Sequence, residues 1–152
     1  IREASQLIAD GVGRSDPRIV YQSRSGPPHV PWLEPDICDV LDELAAEGTR
    51  DVVAVPVGFI SDHMEVLFDL DTEAKERAHA LGINFVRAAT VGTHPAFIRM
   101  IRELIVESMT ERPERRALGR RGPTHDICPL MCCLRGDERL ARSQSAPPVA
   151  GA

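Results

Sequence analysis

Apolar positions along the chain alternate between helical and strand-like spacing. Ala4, Leu7 and Ile8 recur at helical intervals within residues 2–11, and Gly11 and Gly13 mark a stop. "RIVYQS" reads as a strand. It runs into "SRSGPPHVPWLEP", whose four prolines in thirteen residues exclude regular structure and predict a stiff loop. Asp36 is placed to cap a helix in which Ile37, Val40, Leu41 and Leu44 share one face and Gly48 is the stop. "DVVAVPVGF" is a continuous β-branched apolar run, the pattern of a strand buried on both faces of a parallel sheet. A helix to about Leu81 follows, then "INFVRA" as a third strand. A long amphipathic helix comes last, with Phe97, Ile98, Ile101, Leu104, Ile105 and Met109 on its apolar side. Strands alternating with helices predict a parallel α/β sheet with flanking helices, whose functional groups lie in the loops past the strand C-termini.

After Arg112 the character changes. A basic, Gly/Pro-punctuated stretch leads to a cysteine-containing segment and then to "SQSAPPVAGA", a composition that does not build a core. The expected organisation is a helix over 1–17, an α/β domain over 18–112, a basic linker with a cysteine cluster over 113–136, and a disordered tail over 137–152. The chain opens at Ile1 with a helix already under way, so residues 1–17 read as the link from an N-terminal half that lies outside it.

With 152 residues, 43% of them hydrophobic and 27% charged, the chain can bury a core of its own. A formal net charge of −5 argues against a nucleic-acid partner held through phosphate neutralisation. No stretch has the length of a membrane span and no signal-like N-terminus is evident, so the expected compartment is the cytoplasm.

The charge is unevenly spread. Between Ser61 and Glu76 there are six carboxylates, Asp62, Glu65, Asp69, Asp71, Glu73 and Glu76, against one base, Lys75. Glu65, Asp69 and Glu73 are spaced i, i+4, i+8. On an ideal α-helix such a row drifts by roughly 40° per step, and one wide π-type turn would bring it nearer a line. Like charges at this spacing cost about 0.2–0.5 kcal/mol per pair, so the row needs a compensating cation or plain solvation. Oxygen donors in a row suit a divalent metal; a solvated helix face whose acids favour the helix N-terminus is the structural alternative. Position favours the metal: Ser61, Asp62, His63 and Glu65 directly follow a strand.

These residues carry a resemblance. "VPVGFISDHMEVLFDLD", with "YQSRSGPPHVPWLEPD" upstream and "TVGTHPAFIRMIREL" downstream, is similar to the C-terminal half of ferrochelatases, which insert ferrous iron into a porphyrin; the likeness spans Val20 to Glu107. It implies a Rossmann-like, chelatase-like α/β fold. It implies that Glu65, in a His-x-Glu element with His63, is the catalytic carboxylate at the porphyrin cleft, facing a histidine of the N-terminal half. It also implies that Asp69 and Glu73 form an outer metal site leading Fe²⁺ to Glu65. Tyr21 stands where the family often has Trp, and Glu34 where it has Gly. The likeness is nearest to actinobacterial-type members, which act on coproporphyrin III.

Cys128, Cys132 and Cys133 form C-x3-C-C, no standard zinc spacing, and three thiolates are one ligand short of a tetrahedral site or a two-iron cluster. Unligated cysteines in a tail are the plain alternative. The resemblance implies a [2Fe-2S] cluster, because some ferrochelatases carry one on a C-terminal cysteine group. Cys38 fits the apolar pattern of its helix and reads as core. Trp32 either stacks on a flat ligand or covers the sheet edge. The expected function is iron insertion into a porphyrin, with porphyrin, ferrous iron and the N-terminal half as partners. The rivals are a non-catalytic metal or iron–sulfur module and a homodimeric cobalt- or nickel-type chelatase.

Overall fold

A computed structural model describes residues 1–24, 26–27 and 29–128. Helix α1 (Arg2–Gly11) buries Ser5 and Ala9 and leaves the apolar Leu7 and Ile8 exposed. Helix α2 (Ile37–Ala46) begins as the sequence predicts: the Asp36 carboxylate accepts from the Cys38 amide at 2.7 Å, satisfying one of the free N–H groups of the first turn. It ends at Gly48, whose φ of 83° lets the Thr49 amide close back onto the Leu44 carbonyl. The chain then enters strand β1 (Asp51–Ala54).

Three contiguous segments make the acidic helix: α3 (Met64–Phe68), a π-helical turn over Asp69–Ala74, and α4 (Lys75–Ala80). Gly82, with φ 69°, repeats the closure seen at Gly48, with the Ile83 amide donating to the Ala78 carbonyl, and delivers the chain to strand β2 (Asn84–Arg87). β1 and β2 pair in parallel, Asp51 opposite Asn84 through Ala54 opposite Arg87. Helix α5 (Pro95–Ser108) follows, started by His94, whose Nδ1 accepts from the Ala96 amide at 3.2 Å.

The core is built from α2 and one face of the acidic helix. Ile37, Leu41, Val66, Leu70, Ala74, Ala78 and Ile83 are buried together, with Val20, Cys38, Val52, Ala54, Phe59 and Phe85 packed around them. Val66, Leu70, Ala74 and Ala78 recur every four residues, a period longer than the 3.6 of an α-helix. The π-turn absorbs the difference: its wider winding keeps all four side chains on one line against α2.

Two sequence expectations are corrected. The strand expected at "RIVYQS" reduces to one parallel bridge, Tyr21 with Asp36, because its partner segment is bounded by Pro35 and the start of α2 at Ile37. β1 is not buried on both faces: Val53 is 67% exposed and Val86 on β2 is 51% exposed, while Val52, Ala54 and Phe85 pack inward. An apolar run specifies what a strand can bury, and the layer that would cover its second face is not among the described residues. Likewise α5 has no buried residue despite its apolar side.

Two compact units divide the chain, at residues 106 and 107. In the second, Arg115 pairs with Asp126, donates to the Thr124 carbonyl at 2.7 Å and lies 3.9 Å from Glu107. No described helix is long and apolar enough to cross a membrane.

Candidate metal-handling site

Beyond the C-terminal ends of β1 and β2, two loops are tied to each other. The Ala88 amide donates to the Ala54 carbonyl at 2.8 Å, extending the strand pairing by one step. The Gly92 amide donates to the Ile60 carbonyl at 2.7 Å. The β1 loop then turns at Pro56, with the Phe59 amide on the Pro56 carbonyl, and reaches His63, the N-cap residue of α3. The His63 side chain makes no cap bond; its ring stands edge-on to Phe59, centroids 4.8 Å apart at 74°. His63 is thereby packed beside the helix start, one residue from the first turn that carries Glu65.

Five of the six acids of this segment fall into two sets; the sixth, Glu76, is exposed and belongs to neither. Asp62 and Asp71 are taken by Arg87, the last residue of β2: its Nε and Nη2 grip both oxygens of Asp71 at 2.6 and 2.7 Å, and its Nη1 reaches Asp62 Oδ1 at 3.0 Å. The fork geometry is the strong form of an arginine–carboxylate pair. The hydrogen bond from Arg87 holds Asp71 below the ordinary carboxylate range, and hydrogen bonding from Thr90, followed by Arg87, does the same for Asp62. The Arg87 guanidinium is correspondingly held above its usual value, chiefly by Asp71.

Glu65, Asp69 and Glu73 make the second set. No ion pair is recorded for any of the three among the described residues, and Glu65 and Glu73 are exposed. Asp69 is half-buried and accepts a hydrogen bond from the Ser23 hydroxyl, which the proline loop presents from a left-handed residue with φ 58°. Burial pushes the Asp69 pKa up, and the charges of Glu73 and then Glu65 push it further. Asp69 therefore lies within reach of the charges of both Glu73 and Glu65. The three acids are the buried row shifted by one residue, 65, 69 and 73 beside 66, 70 and 74, so the π-turn that aligns the core aligns them too.

No three His, Cys, Asp or Glu side chains among the described residues converge tightly enough to enclose one metal ion. The three acids lie along one helix, Glu65 and Glu73 exposed and Asp69 half-buried, and carboxylate oxygens are the donor type that suits a hard or borderline cation. Trp32, in the proline loop, is 38% exposed. Cys38 packs against the core, and burial raises its pKa, as expected of a structural thiol. Cys128 is a free, exposed thiol; Cys132 and Cys133, with the tail from 137, lie outside the described residues. No periodic or motif signal in the sequence marks Ser23 or Arg87. The only hint of Arg87 was the unmatched charge of the acidic segment itself, which required a cation from elsewhere.

The family model for ferrochelatase matches residues 1–109. The ferrochelatase of Rhodopirellula baltica is 49% identical to this chain, over 99% of the chain and 41% of that protein. The coproporphyrin III ferrochelatase of Streptomyces griseus is 54% identical over 97% of the chain and 42% of its own length, and that of Frankia alni 48% identical over 88% and 36%. The chain thus spans about two fifths of the length of the first two relatives. The matched residues include both strands, the acid row and Arg87, and on this evidence the chain belongs to the ferrochelatase family.

Proposed function

We propose that this chain is the iron-handling part of an enzyme that inserts Fe²⁺ into a porphyrin, coproporphyrin III by analogy with the named Streptomyces and Frankia relatives, in heme biosynthesis in the cytoplasm. One observation carries the reading: within a single acidic segment, Arg87 neutralises Asp62 and Asp71, while Glu65, Asp69 and Glu73 have no ion-pair partner among the described residues. Like charges at this spacing cost about 0.2–0.5 kcal/mol per pair, a cost that a bound cation would offset.

The chemistry follows from charge and proton balance. Fe²⁺ enters, two pyrrole protons leave, and the macrocycle takes the metal as a dianion. Carboxylates along the row exchange for iron-bound waters one at a time, so the ion is never stripped of oxygen ligands at once. Glu65, at the strand end of the row, would hold iron last and accept a proton, with Asp69 and Glu73 as the outer approach. His63 packs the start of that helix, and a histidine from the other half of the enzyme would face Glu65. The porphyrin needs two walls, and this chain contributes one. Purified alone, it is expected to leave coproporphyrin and ferrous iron unreacted under anaerobic conditions; metalation that is lost on Glu65→Gln would point to a homodimeric chelatase instead. In the full-length enzyme, Glu65→Gln removes charge and basicity while keeping shape, and is expected to abolish iron insertion with the fold intact. Wild-type turnover in that variant would sink the assignment.

The same proposal extends to the cysteine group. Cys128 is free and exposed, as a thiolate ligand must be before it binds, and Cys128, Cys132 and Cys133 would hold three corners of a [2Fe-2S] cluster, with the fourth ligand from elsewhere. Anaerobically purified full-length protein should then be coloured and contain iron and sulfide in equal amounts. A colourless protein rules the cluster out.

A further inference from the structure

Arg87 closes β2, and its guanidinium is shared by two segments distant from it in sequence. Asp71 lies inside the π-turn, between Asp69 and Glu73; Asp62 lies in the loop just ahead of Glu65. One cation therefore grips the acid row at its wide turn and at its start, and it does so with only 13% of its side chain exposed. It also donates to the Ala88 carbonyl at 3.3 Å, which ties the guanidinium to its own strand end.

The geometry points to Arg87 as a positioning residue for iron delivery. Its fork fixes the π-turn and the segment before Glu65, and so sets the spacing at which Glu65, Asp69 and Glu73 meet a divalent ion. This inference rests on the reading of that row as the iron-handling site. Three features support it. A π-turn is a rare winding, found mostly as a single turn inside an α-helix and frequently at functional sites. Here the contacts on it are the apolar row on one side and the Arg87–Asp71 fork on another. A planar guanidinium bonded at both oxygens also fixes the direction of the carboxylate, which a lysine ammonium would not. Finally, by occupying Asp62 and Asp71, Arg87 removes two carboxylates that would otherwise offer iron sites beside the row.

Partners that orient metal ligands typically change metal affinity about 10–100-fold when removed. Arg87→Lys in the full-length enzyme keeps the charge and loses the fork. The expected result is an apparent KM for Fe²⁺ raised about tenfold, with kcat and the porphyrin KM near wild type. A folded Arg87→Lys enzyme with an unchanged iron KM overturns the inference. So does one in which kcat and both KM values worsen together, the signature of general structural damage. Asp71→Asn serves if Arg87→Lys does not fold: it leaves Arg87 on Asp62 and weakens only the grip on the π-turn, so the iron KM should rise by a smaller factor, and no rise at all overturns the inference. Glu65→Gln is run alongside. Wild-type iron insertion there removes the underlying reading of the row, an outcome distinct from any result of the Arg87 and Asp71 variants.

Discussion

Asp62 and Asp71 interleave with Glu65, Asp69 and Glu73 along one stretch of chain, yet the two sets are balanced by different things. Arg87 discharges the first set through three hydrogen bonds, and both of its acids are easier to ionise than usual. Among the described residues the second set has no ion-pair partner, and Asp69 accepts from the Ser23 hydroxyl; Asp69 is harder to ionise than usual. The local sequence is equally acidic in both cases. What separates them is which side of the helix each acid occupies and what the end of β2 brings to that side. Composition therefore identifies an acidic segment, and only the tertiary pairing shows which of its charges are matched by a cation within the described residues and which are not.

The contrast between the buried row and the acid row should give the largest stability difference. Leu70→Ala empties a core position and should cost about 2–5 kcal/mol, read from denaturant unfolding of the full-length protein. Glu73→Gln, on the acid row, should leave the unfolding midpoint unchanged or raised, since it removes a repulsion. A comparable loss for both would mean that the acid row is part of the packing.

Next in size is a difference of sign within the acids. Asp71 has a depressed pKa in the folded state, so its contribution to stability is present above the ordinary carboxylate value of 3.8 and is lost as the pH falls through its lower folded value. Asp69 has a raised folded pKa, so its contribution is present below 3.8 and is lost as the pH rises through the folded value. At pH 7, then, Asp71→Asn should unfold at a lower temperature than wild type, and the deficit should vanish on acidification. Asp69→Asn should unfold at the same or a slightly higher temperature, because Asn still accepts from Ser23 without the charge, and its advantage should also fade toward pH 3. Thermal unfolding of both variants across pH 7 to 3 checks the pair; like signs at pH 7 would erase the distinction between the two sets.

Much of this arrangement is legible in the sequence. Asp36 as a cap, Gly48 as a stop, and the parallel sheet all follow from local chemistry and hydrophobic period. The π-turn is legible only as an option: the i, i+4, i+8 carboxylates suit either a drifting α-helical row or a wider turn, and it is the buried row Val66, Leu70, Ala74 and Ala78 in the structure that decides for the wider turn. Arg87 is not, because a pairing between a strand end and residues 16 and 25 positions away leaves no periodic trace. Ser23 is hidden for the same reason: its hydroxyl meets Asp69 across 46 positions. The exposure of Val53 and Val86 escapes the sequence because burial is decided by the neighbouring layer as much as by the strand.

The central claim, that Glu65, Asp69 and Glu73 form a directional path for iron, is tested most directly by measuring kcat and the iron KM of Glu65→Gln, Asp69→Asn and Glu73→Gln in the full-length enzyme under anaerobic conditions. The account predicts a gradient. Glu65→Gln should lose kcat by on the order of 10²–10⁴-fold, the range for removing a proton-transfer group, while Asp69→Asn and Glu73→Gln should keep kcat and need more iron to reach it. Three variants with the same modest defect, or a Glu65→Gln enzyme that turns over normally, would contradict it.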